Sequence, residues 1–337
     1  MANRGFGPRI ILGVAISSLG AGICVFTGCG SNLTGANTSS ASAAVSNGPQ
    51  LGYLWYAADD TLRPILGVPG SSQFGQPVTP AGLYVNGAAS MRSSIALLQS
   101  ANGTISTMTV PQGSAEVISG ATVSGNAQIV FSPSGLNAVL YKPGAGSVLL
   151  ITGLNTTPQI QPLAAPNNFL AATVSDTAQV AVASGSGPLS VALLSGNTGS
   201  LAALSGFGGF RFLPGGSDLL LADSATGVVT VVRNTTSAPV AQTFTATSIK
   251  TPLAVSGSVD GHWAVVANSA DQSVVRLDLT GATAPLRIAC ACQPSQLTTL
   301  SGNAVFSLNA PGTTANWVVD ACAVTPRTVF IPAMVKP

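Results

Sequence analysis

The stretch TPLAVSGSVDGHWAVVANSADQSVVRLDLTGATAPLRI, residues 251–288, decides the fold predicted for this chain. Four short apolar runs, at 253–255, 263–267, 274–277 and 285–288, alternate with three turns rich in Asp, Gly and Thr. Short apolar runs separated by tight-turn residues indicate consecutive antiparallel strands. Because one four-stranded sheet cannot bury both of its faces, the sequence predicts further copies that pack against this unit.

Weaker copies of this unit recur at a nearly constant distance along the chain. We mark each copy by the turn before its most apolar strand, and the first two markers are placed by the spacing itself. The markers are Gly52, Ser93, Gly135, Thr177, Gly216, Gly261 and Gly302. Successive markers lie about 42 residues apart, the length of a four-stranded propeller blade. The spacing therefore predicts an all-β, seven-bladed β-propeller over residues 50–337, with six or eight blades as the alternatives.

Two of these turns carry a recognisable sequence pattern. Ser132-Pro-Ser-Gly135 and Val259-Asp-Gly261 are each followed by an apolar strand, and the second of these strands ends in Ala-Asn. This pattern resembles the signature of YVTN-type β-propeller repeats, most closely over 251–288 and less closely over 126–152 and 207–232. The resemblance implies a bacterial binding or surface protein of unassigned activity.

Charge is scarce throughout the chain. Charged residues make up 7% of the sequence, against about 25% in an average protein. No apolar run after residue 26 approaches the roughly 18 residues that a membrane-spanning helix needs. The Lys and Arg residues form no cluster, so we expect no nucleic-acid binding, which requires a basic face.

The first 28 residues have the pattern of an export signal. Arg4 and Arg9 precede an apolar core at 10–26, which ends in Phe26-Thr-Gly-Cys29. This ending resembles a bacterial lipobox, in which the signal is cut just before a cysteine whose thiol is acylated. We therefore predict a signal peptide at 1–28 and lipidation of Cys29; the alternative is ordinary secretion with cleavage elsewhere.

A polar segment follows the predicted lipid site. Residues 29–49 are rich in Ser, Ala, Asn and Gly and contain no charge, which is typical of a flexible tether. The expected domain order is signal peptide, tether at 29–49 and propeller at 50–337. We expect a cell-envelope protein whose membrane contact is a lipid anchor, and Gly30 favours the outer membrane over the inner one.

Few residues suggest catalysis or metal binding. The single histidine, His262, directly follows a turn, so no site with two His ligands is available. Asp59 and Asp60 are the only adjacent acids, and we interpret them as a solvated turn. Glycines 206, 208 and 209 are interpreted as the beginning of a strand. The sequence predicts no catalytic residues, no metal and no cofactor.

Three cysteines remain in the predicted mature domain. Cys290 and Cys292 lie at the end of the sixth unit, and Cys322 lies late in the seventh. An exported protein meets an oxidising compartment, so these three are disulfide candidates. A bridge from Cys322 to either of the other two and a bridge between Cys290 and Cys292 are both open, and one thiol remains free in each case.

The expected function is a non-enzymatic binding or scaffold module that contacts an unknown protein or glycan at one mouth of the central channel. The alternative is a lyase or hydrolase acting on polysaccharide, which needs charged residues gathered at that mouth. Arg63, Arg92, Arg211 and Arg276 are the residues whose placement distinguishes the two. Each of the three tryptophans is expected in the inter-blade core, with a sugar-stacking surface as the alternative.

Overall fold

The computed structural model describes residues 48–111, 113–195, 199–312 and 314–333. The predicted signal peptide, Cys29 and nearly all of the predicted tether lie outside these residues. Seven antiparallel sheets follow one another along the chain.

The sheets are numbered as blades 1 to 7 in chain order. Blade 1 consists of β1 (Gln50–Tyr56), β2 (Thr61–Val68) and β3 (Ser71–Phe74). Blade 2 consists of β4 (Asn86–Ser90), β5 (Ile95–Gln99), β6 (Thr104–Thr109) and β7 (Glu116–Thr122). Blade 3 consists of β8 (Gln128–Phe131), β9 (Ala138–Tyr141), β10 (Ser147–Thr152) and β11 (Gln159–Ala164). Blade 4 consists of β12 (Phe169–Val174), β13 (Val180–Ser184), β14 (Leu189–Leu193) and β15 (Ser200–Leu204).

The last three blades follow the same order. Blade 5 consists of β16 (Phe207–Phe212), β17 (Leu219–Asp223), β18 (Val228–Arg233) and β19 (Val240–Thr245). Blade 6 consists of β20 (Pro252–Gly257), β21 (Trp263–Asn268), β22 (Ser273–Asp278) and β23 (Leu286–Ala289). Blade 7 consists of β24 (Thr298–Thr299), β25 (Val305–Ser307), β26 (Asn316–Asp320) and β27 (Arg327–Ile331).

The blades form a ring in which the first strand of each lies nearest the centre. First strands of successive blades pack against one another from blade 1 to blade 6, blade 7 contacts its neighbours through β27, and all seven first strands line one central cavity. The prediction of an all-β, seven-bladed β-propeller is confirmed. Blade 1 has three strands and β27 pairs with β26 in blade 7, so the ring closes without a strand shared between the chain ends.

Six of the seven repeat markers lie in the turn before the second strand of a blade, as predicted. The first marker is wrong, because Gly52 lies within β1 and the corresponding turn is at 57–60. The regular spacing fails here because blade 1 lacks a fourth strand. The interpretation of Asp59 and Asp60 as part of a turn is confirmed.

The second strands carry the core. Strand β9 is buried at all four residues, and β17 at all five. Both faces of such a strand contact neighbouring blades, which explains the continuous apolar runs in place of alternation between apolar and polar residues. Apolar clusters fill the spaces between consecutive blades, and one of them joins blade 7 to blade 1.

We call the turn between the first and second strand of each blade the inner turn. Every inner turn contains one residue with positive φ. These residues are Asp60, Ser94, Gly135, Ala178, Gly215, Gly261 and Gly302. Because strands of equal order run in the same direction around the ring, all seven inner turns lie at the same mouth of the channel, which we call the inner-turn mouth.

In the part of the chain that the structure describes, no helix is long and apolar enough to cross a membrane.

Candidate ligand-binding channel

The central channel of the propeller is a cavity of about 680 Å³. Its wall is built from the first strands of all seven blades, together with residues at both mouths. Ligand pockets for small molecules commonly measure about 300–1,000 Å³. The channel is therefore large enough to hold a small molecule.

The first strand of each blade contributes its penultimate residue to the channel wall. The penultimate residues of the seven first strands all line the cavity. In blade order they are Trp55, Ala89, Val130, Thr173, Arg211, Ser256 and Thr298. We call this set the penultimate ring. Blades 1 to 3 contribute its apolar residues and blades 4 to 7 its polar ones, so the two sides of the channel differ in chemistry.

Arg211 is the charged member of the penultimate ring. Its Nη1 donates to the carbonyl oxygen of Phe210 at 3.2 Å, and no carboxylate of the described residues lies within ion-pair distance. Burial lowers the pKa of Arg211, while the nearby hydroxyl of Tyr141 acts in the opposite direction. A guanidinium remains charged at neutral pH even so. In the part of the chain that the structure describes, this positive charge of the channel wall has no carboxylate counter-ion.

Arg92 adds a second cation at the inner-turn mouth. It lies in the inner turn of blade 2, and its Nη2 donates to the carbonyl oxygen of Gly302 in blade 7 at 3.1 Å. Burial lowers the pKa of Arg92. Among the described residues, Arg92 has no carboxylate partner either.

Asp176 is the one acid that lines the described channel. Its two carboxylate oxygens accept the backbone N–H groups of Ser134 and Gly215, at 2.7 and 3.0 Å. Burial alone would raise the pKa of Asp176, but these and other hydrogen bonds outweigh it and hold the pKa below its ordinary value. Asp176 is thus ionised and joins the inner turns of blades 3, 4 and 5.

The opposite mouth is lined by neutral amides. Asn126, Gln128 and Gln296 line the cavity there, and within the described ranges no hydrogen bond occupies their side chains. Asn86 also lies at this mouth, but its Nδ2 donates to the carbonyl oxygen of Ala127 at 2.5 Å. The channel therefore has a charged mouth and an uncharged, hydrogen-bonding one.

Two of the four candidate arginines lie away from the channel. Arg63 forms an ion pair with Asp59 in blade 1. The guanidinium of Arg276 lies 4.2 Å from the ring centroid of Trp263, and its Nη1 donates to the carbonyl oxygen of Ala321 in blade 7. The four arginines thus do not converge, and Arg92 and Arg211 are the pair that the fold brings to the channel.

The other candidate residues also lie outside the channel. His262 is in the inner turn of blade 6, with its Nε2 3.4 Å from Oδ1 of Asp278, and does not line the cavity. Hydrogen bonds from Thr280 and Thr283 lower the pKa of Asp278 to about 2, although burial acts against them. Within the described ranges, no group of three His, Cys, Asp or Glu residues is placed to hold a metal ion.

The cysteines lie at the seam between blades 6 and 7. Cys290 and Cys292 form a disulfide with their Cα atoms 5.0 Å apart, and Cys322 is free. Burial raises the pKa of the Cys322 thiol. All three belong to one apolar cluster.

Sequence reasoning named the two channel arginines but missed the other members of the site. Nothing in the sequence of an individual strand marks these members, Thr173, Ser256 and Thr298, as channel residues. An alignment of the seven first strands by their ends would have placed them at one level with Arg211. Trp55 was expected in the inter-blade core; it is half-buried, packs against the core of blades 1 and 2, and also lines the channel.

Known proteins resemble this chain in fold. A functionally unknown protein from Desulfotomaculum acetoxidans DSM 771 superposes with a TM-score of 0.59 and 10% identity, over 85% of this chain and 100% of its own. AztD from Citrobacter koseri, in its apo form, gives 0.55 and 12%, over 86% and 82%. Virginiamycin B lyase from Staphylococcus aureus gives 0.51 and 12%, over 76% and 85%.

These superpositions show the fold, a β-propeller, and nothing finer. No family model matches the sequence. No curated protein matches it either.

Proposed function

We propose that this chain is a lipid-anchored β-propeller of the bacterial cell envelope that binds a ligand in its central channel and does not convert it chemically. The observation that carries the binding part is the channel itself. Arg92 and Arg211 line this cavity of suitable size, and neither has a carboxylate partner among the residues that the structure describes. A cation held in a pocket without a counter-ion is poised to bind a ligand.

The channel chemistry supports binding more than a lyase or hydrolase reaction on polysaccharide. General acid–base cleavage of a glycosidic bond commonly uses two carboxylates on opposite sides of the bond. The described channel wall offers one, Asp176, and both of its oxygens already accept backbone N–H groups. Similarity to the structure of a lyase supports the fold and gives no support for a lyase reaction in this chain.

The envelope location rests on the sequence. The lipobox-like residues 26–29 and the uncharged segment that follows them support an anchor and a spacer between lipid and propeller. The intact mass of membrane-extracted protein tests this. We expect the mass of residues 29–337 plus lipid, and loss of the membrane fraction in Cys29→Ala. An unlipidated mature protein with a different N-terminus would contradict the anchor.

A screen with blocked mouths tests the channel. Ala57 and Ala310 are exposed residues that line the cavity, Ala57 at the inner-turn mouth and Ala310 at the opposite mouth. We would measure thermal shifts of the wild type, Ala57→Trp and Ala310→Trp with defined oligosaccharides, organic acids and peptides. A channel ligand should stabilise the wild type and lose affinity at least about tenfold in Ala57→Trp.

Two results would contradict this proposal. Ligands that bind all three proteins equally would lie outside the channel. Release of a product from a bound compound, followed by mass spectrometry, would show that the protein is an enzyme.

A further inference from the structure

The two sides of the penultimate ring differ in chemistry. Trp55, Ala89 and Val130 form the side contributed by blades 1 to 3. Arg211 lies on the far side, between Thr173 of blade 4 and Ser256 of blade 6. A molecule that fills the channel between these walls would therefore meet an apolar surface on one side and a cationic, hydrogen-bonding surface on the other.

We infer that the channel ligand is a saccharide that carries a carboxylate, of the uronate class. This inference rests on the proposed function and names the chemistry of its ligand. A pyranose ring has a face of C–H groups and an edge of hydroxyls, and a uronate adds one negative charge to that edge. Each of these three features meets a matching wall of the channel.

The carboxylate is assigned to Arg211. A guanidinium binds a carboxylate through two parallel N–H···O bonds, which are strong because both partners are charged. Among the described residues, the channel wall carries two cations and one ionised acid, a net positive charge that one carboxylate would neutralise. Arg92, nearer the mouth, attracts the same group as it enters.

Thr173 supplies an independent indication that a polar partner is missing. The residue is 1% exposed and lines the cavity in the strand next to Arg211. Its Oγ1 is buried without a hydrogen-bond partner among the described residues. A buried hydroxyl without a partner is unfavourable, and a ligand oxygen beside Arg211 would provide one after rotation of the side chain.

The sugar face is assigned to Trp55. It is half-buried, packs against Gly87 of blade 2, and lies across the channel from Arg211. An indole ring offers a large, rigid apolar surface for the C–H face of a pyranose. Toward the opposite mouth, the amides of Asn126, Gln128 and Gln296 offer both donors and acceptors, which suits the hydroxyls of a second sugar.

The test compares charged sugars with their neutral methyl esters. The probes are di- and trisaccharides of galacturonate, glucuronate and mannuronate, each beside its ester, titrated into the wild type by calorimetry and tryptophan fluorescence. We expect at least one uronate to bind and its ester to bind at least about tenfold more weakly. Trp55→Phe should bind less tightly and lose most of the fluorescence change.

Two single-charge variants separate a specific contact from general attraction. Arg211→Gln should weaken uronate binding at least about tenfold and leave ester binding unchanged. Lys250→Gln removes one positive charge from an exposed site outside the channel and should match the wild type. A circular-dichroism melt of each variant shows whether its fold is intact.

The outcomes distinguish this inference from the proposed function. Esters that bind as tightly as the acids, with loss of both in Ala57→Trp, would overturn the uronate assignment and leave the channel proposal intact. Equal loss of affinity in Lys250→Gln and Arg211→Gln would also overturn the assignment. If none of the uronates binds, the ligand class is wrong, and the screen with blocked mouths then decides whether the channel binds at all.

Discussion

Two groups of inner turns are stabilised in different ways. One group comprises blades 3, 4 and 6, and the other comprises blades 5 and 7. In the first group the residue directly after the first strand is a serine: Ser132, Ser175 or Ser258. In the second group it is a leucine: Leu213 or Leu300. We call them serine turns and leucine turns. All five close with a backbone hydrogen bond from this residue to the end of the turn.

In a serine turn, the serine hydroxyl forms hydrogen bonds within its own turn. In blade 6, Oγ of Ser258 accepts the backbone N–H of Trp263 at 2.9 Å and donates to Oδ1 of Asp260 at 2.5 Å. Ser175 likewise accepts the N–H of Gln179 at 2.9 Å. These hydrogen bonds satisfy backbone groups that the turn would otherwise leave buried and unpaired.

Leucine turns are held by the next blade. A Cβ atom on Gly257 of blade 6 would lie 2.5 Å from Cδ2 of Leu213, and a Cβ atom on Gly52 of blade 1 would lie 2.6 Å from Cδ2 of Leu300. Each leucine therefore occupies the space that a glycine in the following first strand leaves open. The difference teaches that a turn can take its stability from its own polar groups or from apolar contact across a seam between blades.

Truncation of a leucine should have the largest effect. Leu300 is fully buried at the seam that closes the ring, and Leu213 is 3% exposed at the seam between blades 5 and 6. We expect Leu300→Ala and Leu213→Ala each to cost about 3 kcal/mol, from lost burial and the cavity left behind. Urea unfolding followed by circular dichroism measures this, and a cost below about 1 kcal/mol for both would remove the distinction between the turns.

The contact between Leu213 and Gly257 can be tested by substituting each residue alone and both together. Gly257→Ala should cost about 1–2 kcal/mol, because the new methyl group overlaps Leu213 in a packed interior. In a Leu213→Ala background the same substitution should cost much less, since the space is then free. Gly187→Ala is the control, because a Cβ atom there would meet nothing within 4 Å. Additive costs in the double variant would show that the two residues do not share this space.

Serine turns were easier to predict from sequence than leucine turns. Ser258-Val-Asp-Gly261 places a side-chain acceptor and a residue with free access to positive φ at fixed positions, and both are visible in a single chain. Leu300 looks like any other apolar residue, because its role depends on a glycine that lies about 250 residues away in the sequence. The repeat spacing still predicted blade 7, but it did not predict the contact that stabilises its inner turn.

The inner turn of blade 1 and the residues of the channel could not be predicted from the sequence, for related reasons. The inner turn of blade 1 has its positive φ at Asp60, without the glycine that marks most others, and the missing strand shifts the spacing. The penultimate ring is a set of residues that each lie one position before the end of a first strand, in seven separate strands. It can be recognised only when the ends of those strands are known, and ends are the least certain part of strand prediction.

Removal of a serine should have a smaller effect than removal of a leucine. Ser258→Ala leaves the N–H of Trp263 without its side-chain acceptor and should cost about 1 kcal/mol. Ser237→Ala, at an exposed residue of blade 5, should change the free energy of unfolding by less than about 0.5 kcal/mol. Equal values for the two variants would mean that the serine turn gains nothing from its hydroxyl.

The smallest expected effect is a loss of stability at acid pH that arises from an aspartate in a serine turn. Asp260, in a serine turn, accepts hydrogen bonds from Ser258 and His262 of its own turn and from Asn303 of blade 7. Burial alone would raise the pKa of Asp260, but these bonds outweigh it and lower the pKa from its ordinary value near 3.8. Its contribution to stability is therefore complete above about pH 5 and declines as the pH falls toward the lowered value.

Asp260→Asn should thus be less stable than the wild type at pH 7, and its loss of stability should be smaller than that of Ser258→Ala. The difference in stability between Asp260→Asn and the wild type, here called the gap, should narrow as the pH falls from 5 to 2. Thermal melts across this range measure the gap. Asp60→Asn is the control, because asparagine tolerates the left-handed backbone at that position and the residue lies in the inner turn of blade 1. A gap that stays constant with pH would show that Asp260 stabilises the seam through its shape rather than its charge.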